Sequence, residues 1–296
     1  MISIVITAFK EPKTIGKAIE AFLIQKPKEK YELIVACPDK ETTGVVKKYI
    51  KKYKQVKHFK DPGKGKSYCL NMLFKKLKGR IWVFTDGDVY VSKNSLNNIL
   101  QVFKDKSIGC LSGRVISSNP KDNMLGYWSH LLADAGAHRV RKMRFENKQF
   151  LETTGYLFAF RNNGVVKEIP LDVAEDAIIP YYFWKKGYRV GYAEGAVVYV
   201  KNPTLFKDWL KQRKRTAGAH ETLTKYAPDF PRVKSFKNEL KYGLLWIWSY
   251  PKKIRELWWT LMLMFARLYM WSALFYDQYF QKKFYQDAWD RVESTK

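Results

Sequence analysis

The sequence predicts an α/β fold, an open sheet of buried parallel strands with helices between them, followed by a helical module of different composition. Three observations carry this. Short apolar runs rich in β-branched residues alternate with helical stretches through the first two-thirds of the chain, the pattern of strands joined by helical crossovers. With 46% hydrophobic and 16% aromatic residues over 296 positions, the chain can bury a core of one or two domains and is not disordered. After about residue 225 the composition shifts. Pro228 and Pro231 punctuate a loop, and the remainder carries Trp246, Trp248, Trp258, Trp259, Trp271 and Trp289, six of the ten tryptophans.

In chain order, residues 2–7 read as a buried strand, 13–25 as a helix, 32–37 as a strand, 43–53 and 66–78 as helices, 81–85 as a strand and 94–104 as a helix. The chain divides into a domain over 1–225 and a helical module over 226–296. An open α/β sheet takes its ligand outside the carboxyl ends of its strands, so polar residues that follow strands are the candidates.

Lys and Arg number 54 against 28 Asp and Glu, a net charge of +26 that favours anionic partners: nucleic acid, nucleotide phosphates or acidic lipid. Cys37, Cys69 and Cys110 have no CxxC spacing, and His58, His130, His138 and His220 form no short ligand pair with them, which argues against a zinc site or a disulfide framework. Met1 leads straight into Ile2-Ser3-Ile4-Val5-Ile6 without a basic segment or cleavage site, so a secretory signal is not expected and the cytoplasm is.

Four constellations carry chemistry. Thr85-Asp86-Gly87-Asp88-Val89 ends the apolar strand Ile81-Trp82-Val83-Phe84. Two carboxylates one residue apart can hold a hard cation that neutralises a diphosphate, although Asp and Gly also make ordinary turns. Asp61-Pro62-Gly63-Lys64-Gly65-Lys66-Ser67 opens a helix but is too short for GxxxxGK[ST], which disfavours a Walker ATPase. Its amides, with Lys64 and Lys66, either attract a nucleotide or simply cap the helix. Ala174-Glu175-Asp176-Ala177 offers a general base beside apolar Ile178 and Ile179, or an acidic first turn that suits the helix dipole. In Gln212-Arg213-Lys214-Arg215, on a helix begun near Leu205, positions 212 and 215 share a face. That face either aims an amide and a guanidinium at a phosphate or hydroxyl, or is a solvated basic surface.

Taken in order, these segments resemble the inverting glycosyltransferases of family 2, together with the opening Ile4-Val5-Ile6-Thr7-Ala8-Phe9-Lys10-Glu11 and Thr154-Gly155-Tyr156-Leu157-Phe158-Ala159-Phe160-Arg161. The resemblance covers roughly residues 1–216. It implies a GT-A fold, a Rossmann-like mixed sheet flanked by helices. It also implies a nucleotide-sugar donor, UDP-sugars favoured, and a Mg2+ or Mn2+ ion held by Asp88. Thr7, Ala8, Glu11, Asp39, Lys66, Asp86, Gln212 and Arg215 would surround the donor, and Gly155, Tyr156, Arg161 and Glu175 would lie on the acceptor side. Asp176 corresponds to the base that deprotonates a lipid-linked or glycan acceptor. Where such enzymes carry a fuller acidic run after the second strand, this chain has Ala36-Cys37-Pro38-Asp39-Lys40. Where polysaccharide synthases continue the Gln-x-x-Arg motif into Trp, it has Thr216, which weighs against processive synthesis.

Residues 257–276 form a twenty-residue stretch whose single charge is Arg267. A central arginine costs about 2.5–3.5 kcal/mol on insertion scales, so the stretch suits a helix lying on a membrane better than one spanning it. Trp258, Trp259 and Trp271 would sit at headgroup level, with Lys252, Lys253 and Arg255 facing acidic lipid at the cytoplasmic face of the cell membrane. An aromatic core or dimer helix fits the same pattern. Two other functions compete: a basic nucleic-acid-binding protein and a nucleotidyltransferase of related fold. Neither accounts for all four constellations, and no nucleic-acid partner is expected.

Overall fold

The computed structural model describes residues 1–296 apart from 229, 231–232, 234–235, 240–243, 283–291 and 296. Trp289, one of the module's tryptophans, lies outside the described residues. Strands β1 (Ile2–Thr7), β2 (Tyr31–Cys37), β3 (Val56–Lys60) and β4 (Ile81–Asp86) alternate with helices α1 (Ile15–Leu23), α2 (Lys40–Ile50) and α3 (Lys66–Phe74). There follow β5 (Tyr90–Val91), α4 (Ser95–Val102), β6 (Ile108–Ser117), α5 (Met124–Ala133), a π-turn at Asp134–His138, and α6 (Arg139–Glu146). The sheet region closes with β7 (Leu157–Arg161), α7 (Glu175–Lys185), β8 (Arg189–Val200) and α8 (Phe206–Glu221). Short helices α9 (Leu223–Tyr226), α10 (Phe236–Asn238) and α11 (Leu244–Ile247) precede the long α12 (Ile254–Tyr279).

The strands form one mixed sheet in the order β3-β2-β1-β4-β7-β6-β8-β5. β1 pairs in parallel with both β2 and β4, while β7 runs antiparallel between β4 and β6. Because the chain leaves β1 in one direction toward β2 and returns on its other side as β4, the crevice of the switch point opens beyond Thr7 and Asp86, which are paired in register. The period-two pleat sorts the core. Ile2, Ile4, Ile6, Ile81, Val83, Leu157 and Ala159 face one helical layer, and Val5, Trp82, Phe84, Phe158 and Phe160 face the other. On the second face the Phe84 and Phe160 rings stack at 5.2 Å. This packing fixes the strand ends that carry polar groups.

The early strands fall where the apolar runs predict them. α2 is displaced toward the N-terminus relative to 43–53, because Asp39 caps it: its carboxylate accepts a hydrogen bond from Thr42 N at 2.8 Å.

The predicted stretch 257–276 is helical within α12, with Thr260 and Arg267 pointing inward. Thr260 is buried and bonded to the Tyr127 hydroxyl at 2.7 Å. Arg267 makes a bidentate pair with Glu239, which also accepts from Trp271 Nε1 at 2.8 Å. Trp271 is 4% exposed, so it does not stand at the surface as expected; Trp259 is half-buried against Tyr127, and Trp258 is exposed at 58%. No described helix is long and apolar enough to cross a membrane.

Candidate active site

The site is assembled from strand ends. Parallel register sets Thr7 beside Asp86, and Thr7 Oγ1 donates to Asp86 Oδ1 at 3.0 Å. Gly87 N donates to the Thr7 carbonyl at 2.8 Å, turning the chain sharply after β4. A Cβ on Gly87 would overlap the Glu11 carboxylate and come within 2.7 Å of Ala8 Cβ, so the middle position of the acidic triplet has no room for a side chain. The antiparallel register of β4 and β7 brings Tyr156 alongside, its carbonyl accepting from Thr85 Oγ1 at 2.7 Å.

Lys66 is the first residue of α3. Gly65 before it has φ +105°, a conformation that favours glycine, and this steep entry turns Lys66 into the site. A cation at a helix N-terminus is disfavoured by the dipole, and here two carboxylates offset that cost: Lys66 Nζ lies 2.7 Å from Asp86 Oδ1 and 2.8 Å from Glu175 Oε1. Burial works against the Lys66 charge, but Asp86 and Glu175 outweigh it and hold the ammonium well above the ordinary lysine range. Burial raises the Glu175 carboxyl, against the pull of Lys66 and with the help of Asp176.

Asp176, in the first turn of α7, is fixed from the β7 side. Its Oδ2 accepts from Gly155 N at 3.1 Å, and its carbonyl accepts from Thr153 Oγ1 at 3.0 Å. The segment it leans on is itself clamped by buried Arg141, which donates to the carbonyls of Glu152 at 3.0 Å and Thr153 at 3.3 Å.

A cavity of about 520 Å3 joins these groups. Thr7, Glu11, Lys66, Asp86 and Asp88 line one part of it, Gly155, Tyr156, Glu175 and Asp176 another, and Gln212 and Arg215 of α8 reach in between. Arg213 lines it as well, which the i, i+3 pairing of Gln212 with Arg215 had passed over. Burial pushes its guanidinium down to about 10, with Arg267 adding repulsion and Tyr156 and Glu239 opposing it. Burial raises the Tyr156 phenol; Arg213 and Arg215 pull it down and Asp88 and Asp86 push it up. His220, one of the four histidines without a sequence pattern, also lines the cavity.

Three expected site residues are elsewhere. Arg161 sits at the far end of β7, paired with Ile81 at the start of β4, roughly 17 Å along the strands from Asp86 at about 3.4 Å per residue. Its guanidinium donates to the carbonyls of Ile108 at 2.8 Å and Phe103 at 2.7 Å, a structural clamp. Asp39 spends one oxygen on the α2 cap and the other on Lys10 N at 2.8 Å, and it does not line the cavity. Ala8 is 1% exposed and serves as packing behind Gly87.

The donor set fits a divalent ion completed by substrate. Among the described residues no group of three His, Cys, Asp or Glu side chains forms a resident metal site. Asp86 is engaged by Lys66 and Thr7, Asp88 lines the same cavity, and the Glu11 carboxylate packs close to Gly87. One or two carboxylates with the remaining positions filled by phosphates and water is how Mg2+-type ions are held at nucleotide sites.

A mixed sheet with carboxylates at the β1–β4 switch point, and with a basic helix and a second carboxylate lining the same cavity, is the architecture of a GT-A glycosyltransferase. Residues 1–219 match the family described as Glycosyltransferase like family 2, and the chain belongs to that family. It is 24% identical over 245 residues to the probable glycosyltransferase YdaM of Bacillus subtilis, covering 79% of this chain and 58% of YdaM. It is 22% identical over 163 residues to the hyaluronan synthase of Streptococcus pyogenes, covering 51% of this chain and 39% of that protein. The chain thus spans less than two-thirds of either relative. Among solved structures it resembles the mannosyltransferase PcManGT from Pyrobaculum calidifontis in complex with GDP-Man and Mn2+. That likeness has a TM-score of 0.61 at 18% identity, over 95% of this chain and 81% of that one. TarS 1–349 of S. aureus aligns at TM-score 0.50 and 16% identity, over 96% of this chain and 93% of that one.

Proposed function

We propose that this glycosyltransferase moves a sugar from a nucleotide-sugar donor, with UDP-sugars the first candidates, to an acceptor hydroxyl in one inverting displacement. The observation that carries the reading is that Asp88 and Asp176 line one cavity from different elements. Asp88 would hold a divalent ion, Mg2+ or Mn2+, which would supply positive charge for the departing diphosphate. Gln212, Arg213 and Arg215 face the same leaving group from α8 and stabilise the negative charge that grows on it as the sugar–phosphate bond lengthens. Asp176, oriented by Gly155 N–H, takes the acceptor proton while the hydroxyl oxygen attacks the anomeric carbon. Lys66 ties Asp86 on the donor side to Glu175 on the acceptor side and keeps the two carboxylates from repelling each other apart.

The acceptor is lipid-linked or a membrane-proximal glycan, and the chain works against the acidic cytoplasmic face of the membrane without spanning it. The outer face of α12 supports this. Ile254, Leu257, Trp258, Phe265, Leu268, Tyr269, Tyr276 and Tyr279 are all exposed and fall on one stripe with no charge, about 39 Å long at 1.5 Å per residue. Exposed Lys252, Lys253 and Arg255 flank its start. Aromatics at headgroup depth with basic neighbours suit an anionic bilayer surface. The helical tail is in this reading the membrane-associating module. Its inner face packs on Tyr127, Trp128 and Trp209, so removing the whole tail would also strip the catalytic domain of packing.

Two experiments test the reading. A panel of UDP, GDP and dTDP sugars is incubated with Mn2+ or with EDTA, and the anomeric proton of the product is followed by NMR. Metal-dependent transfer with inversion is expected, and a retained anomer would overturn the mechanism. Separately, a Trp258→Ser, Phe265→Ser, Tyr269→Ser variant is expected to lose co-sedimentation with phosphatidylglycerol vesicles. Undiminished sedimentation would overturn the membrane reading.

A further inference from the structure

The cavity continues past Asp176 into a lobe that the reaction as described leaves unused. One wall runs on from the site itself. Thr154 N, next to Gly155, donates to Ser112 Oγ at 3.2 Å, and further along β6 Val115 lines the cavity, paired with Val198 of β8. Another wall is the unbroken helical run of α5, the π-turn and α6 over residues 124–146. Ala133, Gly136, Ala137 and Val140 line the cavity from one face of that run, at spacings of three and four, and Ile247 of α11 lines it as well. Arg141 and Arg144 continue the same face, but their guanidinium groups are turned to carbonyls, those of Glu152 and Thr153 for Arg141 and that of Phe150 for Arg144. Thr153 in turn donates to the Asp176 carbonyl, so this helix face starts beside the proposed base.

Val115, Ala133, Gly136, Ala137, Val140 and Ile247 offer no charge and no side-chain hydrogen-bonding group, and none of them is fully buried, so the lobe presents unfilled apolar surface. Gly136 shows the space directly. A Cβ built on it would meet only Leu132 Cδ2 within 4 Å, at an ordinary 3.7 Å, so packing does not demand glycine there. The same cavity holds a polar atom that lacks a partner. Gln212 is 9% exposed and lines the cavity, and its Oε1 is buried with no hydrogen-bond partner among the described residues. An amide oxygen only accepts, and so does an ionised phosphate oxygen, so the diphosphate cannot satisfy it; a sugar hydroxyl can. An unmet buried acceptor is costly, and a bound hydroxyl removes that cost.

We propose that the lobe is an acceptor subsite for an aliphatic chain. The acceptor is then an amphiphile whose sugar hydroxyls meet Asp176 and Gln212 while its apolar aglycone lies along Ala133, Gly136, Ala137 and Val140. The inference rests on the assignment of Asp176 as the base, which fixes where the reacting hydroxyl stands, and it makes a choice within that reading: a lipid-linked acceptor, not a free glycan. Complementarity decides between the two. A second sugar in the lobe would bring several hydroxyls against walls that offer them no partner, a desolvation cost that an aliphatic chain does not carry. Each methylene that the chain buries is worth about a fourfold gain in affinity. α12 joins the subsite to the surface proposed for the bilayer: Arg267 and Trp271 line the cavity, while Trp258, Phe265 and Tyr269 stand exposed on its outer face.

The test uses octyl and methyl β-glucoside below the micelle concentration, with binding followed by calorimetry. The parent is expected to bind the octyl compound at least tenfold more tightly. Gly136→Phe, which fills the lobe, is expected to bring octyl binding down to the methyl level, with the melting temperature and Mn2+-dependent nucleotide-sugar binding unchanged. The Trp258→Ser, Phe265→Ser, Tyr269→Ser variant is expected to keep the octyl preference, which separates the lobe from the outer face of α12. No octyl preference in the parent, an undiminished one in a folded Gly136→Phe, or its loss in the α12 variant would overturn the subsite. If Gly136→Phe fails to fold, an octyl glucoside carrying a terminal diazirine decides on the unaltered protein: photolabelling within residues 132–140 supports the subsite, and labelling only elsewhere contradicts it. Asp176→Asn is expected to bind octyl glucoside as the parent does, so full transfer by that variant would remove the base while leaving the chain-binding result readable on its own.

Discussion

The strand-end cavity and the outer face of α12 break the usual inside-out rule in opposite ways. The cavity buries charge: Lys66, Glu175 and Arg141 are all largely withdrawn from water, and each is held by a partner of opposite sign or by backbone carbonyls. The α12 face does the reverse and leaves large rings in the open, with Phe265 and Tyr269 at 57% exposure. Buried charge and clustered exposed aromatics are the two departures that carry information, whereas a lone exposed leucine does not. On the proposed function the difference teaches where each region would draw its free energy: the first from preorganised charge in a cleft, the second from apolar area that a bilayer would bury.

Substitutions can break this contrast. The largest effect is expected at Lys66→Met, which leaves Asp86 and Glu175 facing each other without a cation and costs about 3–5 kcal/mol, read by denaturant unfolding at pH 7. Its pH dependence follows from Glu175, whose carboxyl is already raised by burial. A carboxyl raised on folding takes up a proton as the chain folds, so the penalty is full above its folded pKa and disappears below its unfolded value near 4.5. The deficit of Lys66→Met relative to the parent therefore shrinks as pH falls toward 4.5.

Within α12 the two faces should separate cleanly. Trp271→Ala removes a buried ring and the donor to Glu239, and about 3–5 kcal/mol of stability is expected to be lost. Trp258→Ala, on the outer face, is expected to change stability by less than about 0.5 kcal/mol while weakening vesicle binding. Equal destabilisation by the two would show that the outer face is packed in solution. Gly87→Ala forces a methyl against Glu11 and Ala8, at a cost of about 1–3 kcal/mol together with weaker donor binding measured by calorimetry. Arg161→Met is the smallest in function: about 1–3 kcal/mol of stability is lost from orphaned carbonyls, and kcat stays unchanged in a transfer assay.

How much of this was legible in the sequence follows from the same physics. β1, β2 and β4 are buried on both faces and so read as unbroken apolar runs, which makes both the strands and the Asp86–Asp88 turn visible. β3, Val-Lys-His-Phe-Lys at the sheet edge, is half solvated and looks like a linker. β6 and β8 carry glycines and charges among their apolar residues, and their pairing shifts register at a bulge, so neither shows a clean period. The same blindness explains Arg161. It lies in a segment that resembles a family motif, but β7 runs antiparallel and carries that arginine away from the strand ends where Tyr156 remains. His220 and Glu152 meet only through the packing of α8 against the segment before β7, a contact between positions 68 apart that no local pattern encodes.

The central claim is a division of labour across one cavity, and it is tested most directly by comparing Asp88→Asn with Asp176→Asn for Mn2+-dependent nucleotide-sugar binding and for sugar transfer. The account predicts that Asp88→Asn loses both. It predicts that Asp176→Asn binds donor as the parent does and transfers at least about a hundredfold more slowly. Full transfer by Asp176→Asn, or undiminished metal-dependent binding by Asp88→Asn, would contradict it.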